Sequence, residues 1–181
     1  ASGGGIYTYE CEPTVTNCTI SENSVGGSPA YSRGGGVAAY QSDIALHDCT
    51  VSGNTTLGYG GGFWSWESDA VLKRCDIDFN EALHGGGIAL DDHSDAHMEL
   101  CHISDNTAQR GGGMRVRIFS RPTLLGCLLR DTPATEAGGA VFGGAMASRI
   151  ALLFGAAHPA GTLVVFGTSR AVSGATLRQN E

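Results

Sequence analysis

The densest run of titratable side chains in the sequence is Asp91-Asp92-His93, followed closely by Asp95 and His97. Carboxylates in pairs do acid–base work. Two of them about 5–9.5 Å apart cleave a glycosidic bond, one protonating the leaving oxygen while the other attacks or activates water. Asp76 and Asp78 make a second acidic pair, with Glu67 upstream of both and Arg115 and Arg117 downstream. Asp91, His93 and Asp95 are the candidates for a Ca²⁺ or Zn²⁺ site. His93 and His97 are four apart, which gives one face on a helix but not on a strand, so a polar turn is expected and no metal or other cofactor is assigned. Gly-x-Ser-x-Gly is absent, so nothing marks a nucleophile elbow, and no Gly-Lys-Ser/Thr follows the glycine runs to mark a nucleotide site. Glu67, Asp91, Asp92, Arg115 and Arg117 can meet only if the chain returns to one place at a regular interval.

The glycines show that it does. Triplets fall at 3–5, 34–36, 60–62, 85–87 and 111–113, with Gly138-Gly139-Ala140 as a degenerate sixth. An apolar residue follows each one: Ile6, Val37, Phe63, Ile88, Met114 and Val141. Further along each repeat come Cys18, Cys49, Cys75, Cys101 and Cys127, then an aliphatic residue two positions on. Asn23, Asn54, Asn80 and Asn106 follow five after the cysteine, and Thr132 breaks that series. Apolar residues alternate within each segment, the period of a strand. Short strands repeated at fixed positions stack as a solenoid. A repeat of about 26 residues is too short for a propeller blade, and it lacks the leucines and helix of a leucine-rich repeat.

The expected fold is therefore all-β: a single-stranded right-handed parallel β-helix of about seven coils, roughly 34 Å long. Residues 1–181 are expected to form one β-helix domain, with regular coils over 3–137, an irregular coil over 138–160 and a last coil over 161–181. The glycines are expected to supply positive φ and close backbone approach, and the asparagines an inward ladder at a bend. The cysteines stack as small buried thiols, one per coil, with Cys11 outside the file. A single file without Cys-x-x-Cys disfavours zinc. Asn17-Cys18-Thr19 and Asn54-Thr55-Thr56 match the N-glycosylation sequon, and burial in the ladder disfavours modification of Asn54.

Residues facing outward carry any function. On the first strand of each repeat one outward column reads Tyr7, Ala38, Trp64, Ala89, Arg115, and the other Tyr9, Tyr40, Trp66, Asp91, Arg117. Glu10, Gln41, Glu67 and Asp92 align just beyond. Aromatics on a solvent face mark a contact unless turns such as 24–33 fold over them. Tyr7, Tyr9, Tyr40, Trp64, Trp66, Arg115 and Arg117 are the candidate binding residues, for a protein or a glycan.

The remaining composition narrows the classes. Glycine accounts for 28 of 181 residues, about twice average usage, yet without a three-residue period, which excludes collagen. Residues 1–110 hold 15 acids against 4 bases, and residues 111–181 hold 3 against 7. The acidic part opposes a nucleic-acid binder. No apolar stretch reaches the length of a membrane span. The chain begins without methionine or a signal-peptide layout, so a processed form or an excerpt is expected; the compartment stays open, with a surface, extracellular or organellar-lumenal setting favoured. Solenoid ends without a polar cap, and the apolar stretch Ala140–Phe166, suggest a piece of a larger protein or complex.

These motifs resemble the right-handed parallel β-helix proteins of the pectate-lyase-like superfamily. Their pattern is most similar to the repeats of chlamydial-type polymorphic outer-membrane proteins, which combine Gly-Gly-Ala-Ile/Val/Leu with Phe-x-x-Asn. Here Gly138-Gly139-Ala140-Val141 matches the first motif, and Ile20-x-x-Asn23, Val51-x-x-Asn54, Ile77-x-x-Asn80 and Ile103-x-x-Asn106 match the second with an aliphatic in place of Phe. The resemblance implies adhesion or scaffolding by a non-catalytic module. Its enzymatic alternative is a polysaccharide lyase or hydrolase using Asp91, Asp92, Arg115, Arg117 and Glu67.

Overall fold

The computed structural model describes residues 2–143, 150–154 and 175–179. It is a parallel β-solenoid with four sheets running along its length. The first sheet stacks Ile6–Tyr9, Val37–Tyr40, Phe63–Trp66, Ile88–Asp91, Met114–Val116 and Val141–Gly143. The second begins at Thr14–Thr16 and continues through Ala45–His47, Val71–Lys73, His97–Glu99 and Thr123–Leu125 to Ile150–Phe154 and Ala175–Gln179. The third runs from Thr19–Ser21 to Leu128–Arg130, and the fourth from Ser24–Val25 to Ala134–Ala137. Registers follow the repeat: Val37 pairs with Phe63, Phe63 with Ile88 and Ile88 with Met114. The coils between Gly34 and Ala137 make about 4 turns of ~26 residues each. The expected total of seven, and most of the coils assigned to 138–160 and 161–181, depend on residues outside those described.

The turns explain the glycines. Gly34 opens its coil at φ +58°, a conformation that costs glycine nothing. A Cβ on Gly35 would collide with the Gly61 carbonyl oxygen of the next coil. Inside, Val37, Phe63, Ile88 and Met114 form one apolar file, Leu46, Leu72, Met98 and Leu124 another, and Val51, Ile77, Ile103 and Leu129 a third. Contact between these files closes one continuous core, whose burial is the main stabilising term.

The asparagine ladder stands as expected. Asn80 Oδ1 accepts from Asn54 N at 2.9 Å and Asn54 Nδ2 at 3.0 Å, while Asn80 Nδ2 donates to Val51 O at 2.8 Å and Asn106 Oδ1 at 3.0 Å. Cys49, Cys75 and Cys101 are buried free thiols, and Cys75 Sγ donates to Leu46 O at 3.3 Å. The Cys101 thiol is pushed up to about 12, chiefly by its contact with Cys127. The file is corrected at its ends. Cys18 is exposed and Cys127 half-buried.

A second inward ladder, not expected from the glycine, cysteine and asparagine columns, is built from serines. Ser42, Ser68, Ser94 and Ser120 link main-chain N–H to hydroxyl from coil to coil, as in Ser42 N to Ser68 Oγ at 2.9 Å. Beside it, Asp69 N donates to Asp43 Oδ1 at 2.7 Å, Asp95 N to Asp69 Oδ1 at 3.0 Å, and Arg121 N to Asp95 Oδ1 at 2.6 Å. The Ser-Asp dipeptide at 42, 68 and 94 carries the signal for both.

Candidate functional site

The outer face of the first sheet gathers most of the candidate residues. The pleat sends Tyr7, Ala38, Trp64, Ala89 and Arg115 to one outward column and Tyr9, Tyr40, Trp66 and Asp91 to the other. Arg117 follows in the next coil, its N–H bonded to Leu90 O at 2.9 Å. Pointing away from the core is not the same as facing solvent. Trp64 is only 1% exposed and Arg115 7%, which corrects the expectation that this column is open.

The cover comes from the residue that precedes each glycine triplet. Ser2, Arg33, Tyr59 and His84 stack in register through isolated parallel bridges. The tight glycine turn folds this file back over the first sheet. The Arg33 guanidinium lies 5.1 Å from the Trp64 ring and 5.6 Å from that of Tyr59, and the Arg115 guanidinium lies 4.9 Å from Tyr59. Small Ala38 and Ala89 flank Trp64 above and below and pack with it in a cluster separate from the main core.

Beside this cover runs an aromatic ladder. Tyr9 and Tyr40 have ring centroids 5.7 Å apart, Tyr40 and Trp66 6.3 Å, and Trp64 and Trp66 6.3 Å. The Tyr40 and Trp66 planes differ by only 13°, so they stack face to face along the rod. Tyr40 and Trp66 therefore turn ring faces toward each other, while Tyr9 has a single, tilted ring neighbour. Tyr7 is 52% and Tyr9 50% exposed, with Tyr40 and Trp66 half-buried. The Tyr9 hydroxyl donates to Glu10 Oε1 at 2.6 Å, which holds its proton more tightly than usual.

At the other end the ladder meets charge. Trp64 Nε1 donates to Asp91 Oδ2 at 3.0 Å, and Arg117 Nη1 lies 3.4 Å from Asp91 Oδ1. Asp91 is 2% exposed. Asp91 Oδ1, Arg115 Nε and Nη1, and His84 Nδ1 are buried without a hydrogen bond. Burial lowers the Arg115 pKa, against the attraction of Asp91. Burial also pulls His84 down to about 4, helped by Arg115, Arg110 and Arg117.

The other candidates do not converge on one centre. Glu67 is exposed and accepts from Gln41 Nε2 at 2.7 Å. Asp92 pairs with His93 Nδ1 at 2.8 Å. Glu10, Gln41, Glu67 and Asp92 do share one turn position, at φ between 46° and 49°, as their alignment in the repeat requires. Glu10, Glu12, Gln41, Asp43 and Glu67 line an acidic cleft of about 380 Å³ with Cys11. Asp95 belongs to the aspartate ladder and binds Arg121, so Asp91, His93 and Asp95 engage three different partners. Among the described residues no group of three His, Cys, Asp or Glu side chains is placed to hold a metal ion. Among them, too, no helix is long and apolar enough to cross a membrane.

Sequence patterning does not single out Arg33, Tyr59 or His84 as site residues. Their regular place just before each glycine triplet is the signal that could have found them.

No curated protein and no solved structure matches the chain. The four parallel sheets, the glycine corners and the asparagine ladder are those of a β-helix, and the family model described as "Right handed beta helix region" matches residues 1–151, so the chain belongs to that family.

Proposed function

We propose that this chain is a non-catalytic β-helix binding and scaffold module that contacts a protein partner through the edge formed by Tyr7, Tyr9, Tyr40, Trp66 and Arg117. The observation that carries the reading is the partly exposed ladder of aromatic rings standing on a buried floor of Trp64, Arg115 and Asp91. Tyr, Trp and Arg are the residues that dominate protein interfaces, and rings locked by their neighbours lose little entropy on binding. A glycan is the weaker candidate, because stacking a sugar needs a free ring face and Tyr40 and Trp66 turn theirs toward each other.

The test is capture of partners by wild-type protein and by a Tyr9→Ala/Trp66→Ala double variant, with Phe79→Ala, at an exposed corner just after the third-sheet strand Asp76–Asp78, as the control. Loss of about tenfold or more in affinity for a captured protein is expected for the double variant, with Phe79→Ala unchanged. Equal capture by all three sinks the reading.

A second reading, a carbohydrate-active enzyme of the pectate-lyase type, is favoured by one observation. Arg115, buried and with its pKa lowered, faces Asp91, while Glu67 and Asp92 occupy the same turn position in successive coils. It requires turnover of an acidic polysaccharide that disappears in Arg115→Ala or Asp91→Ala. Absence of turnover across a broad glycan panel removes it.

A further inference from the structure

The two sequons of this chain occupy opposite environments. Asn54 is fully buried, and both hydrogens of its Nδ2 are committed, one to Ile20 O at 2.9 Å and one to Asn80 Oδ1 at 3.0 Å. Asn17 lies on the corner between the second and third sheets, at φ +52°, with its main-chain N–H bonded to His47 O at 3.0 Å. Asn17, Cys18 and Thr19 are all exposed.

We propose that Asn17 is an N-glycan acceptor and that Asn54 is not. Transfer from a glycosyl pyrophosphate lipid forms a bond between the sugar's anomeric carbon and Nδ2. The anomeric C–O bond breaks, the pyrophosphate leaves with its electron pair, and Nδ2 gives up one of its two protons. At Asn17 the product projects from a corner. At Asn54 it would displace ladder bonds and put a bulky polar group into the interior, so a chain modified there would not close its coils.

The accessibility of Asn17 comes from the repeat itself. The same corner is held by Asp48, Arg74 and Leu100 in later coils, each of them exposed. In those coils the next position, Cys49, Cys75 or Cys101, turns inward, and the one after it, Thr50, Asp76 or His102, turns out again. Asn17 and Thr19 thus lie on one outward side of the sequon, where an acceptor and its hydroxyl partner are needed together. The strand Thr14–Thr16 and the turn before it separate this corner from Tyr9, so a glycan here leaves the aromatic edge uncovered.

The test is peptide mass spectrometry of protein isolated from its own source, treated with a peptide N-glycosidase that converts a glycosylated asparagine to aspartate. Conversion at Asn17 in most molecules, with Asn54 unconverted, is expected. Loss of the glycan in Asn17→Gln and in Thr19→Ala expressed in the same source, with an unchanged thermal melt, completes the result. Unmodified Asn17 in native material, or a glycan at Asn54, overturns the proposal.

Discussion

The inner asparagine ladder and the outer Asp91–Arg115–His84 cluster are buried to nearly the same degree, yet they are opposites in hydrogen bonding. Asn80 uses both donors of its amide and accepts twice at its oxygen. Across the chain wall, Arg115 Nε and Nη1, Asp91 Oδ1 and His84 Nδ1 lack such partners. A repeated side chain can satisfy its copy in the next coil, because every coil offers the same donor and acceptor at the same height. A cluster assembled from unlike residues has no such rule. Satisfied polarity in the asparagine ladder holds the rod together, whereas the unsatisfied polarity of the outer cluster costs stability.

The largest consequence falls on the ladder. Asn80→Ala leaves Asn54 N, Asn54 Nδ2 and Val51 O without their partner, and about 5 kcal/mol of unfolding free energy should be lost. Denaturant titration measures this, and a loss below about 1 kcal/mol would show that the ladder is ornamental.

His84 gives the intermediate effect and distinguishes the two regions by pH. Its pKa is about 4 in the folded protein against an ordinary value of 6.5. Between these values the unfolded chain binds more protons, so stability present above pH 6.5 is lost as pH falls toward 4. Below the folded value it continues to no further loss. With allowance for partial screening the total is about 2 kcal/mol. Stability measured across this pH window in His84→Gln should lack that slope. An unchanged slope would place the titration elsewhere.

The smallest effect sharpens the contrast most. Arg115→Met removes orphaned donors while keeping most of the side-chain volume, so stability should stay within about 1 kcal/mol of wild type or rise. A loss of several kcal/mol would mean that Arg115 is as fully integrated as Asn80.

Much of this fold was legible because a solenoid writes its geometry into the sequence as a period. Once the triplets at 34, 60, 85 and 111 are aligned, strand positions, register, core files and the asparagine ladder follow from adjacency between coils. The Ser42 and Asp43 columns are equally periodic but lie in a segment without glycine or cysteine to draw the eye. The site was less legible. Alternation correctly sends Trp64 and Arg115 outward, but it carries no information on what folds back over them.

The sequence by itself determined which residues stack, since parallel in-register pairing maps residue number directly onto height and face. The tertiary structure alone decided which outward residues meet solvent. Arg33, Tyr59 and His84 cover Trp64 and Arg115 because the glycine turn brings the end of one coil back over the start of the next. Tyr7 and Tyr9 stay open. That closure depends on side-chain reach across coils, a three-dimensional quantity on which the period is silent.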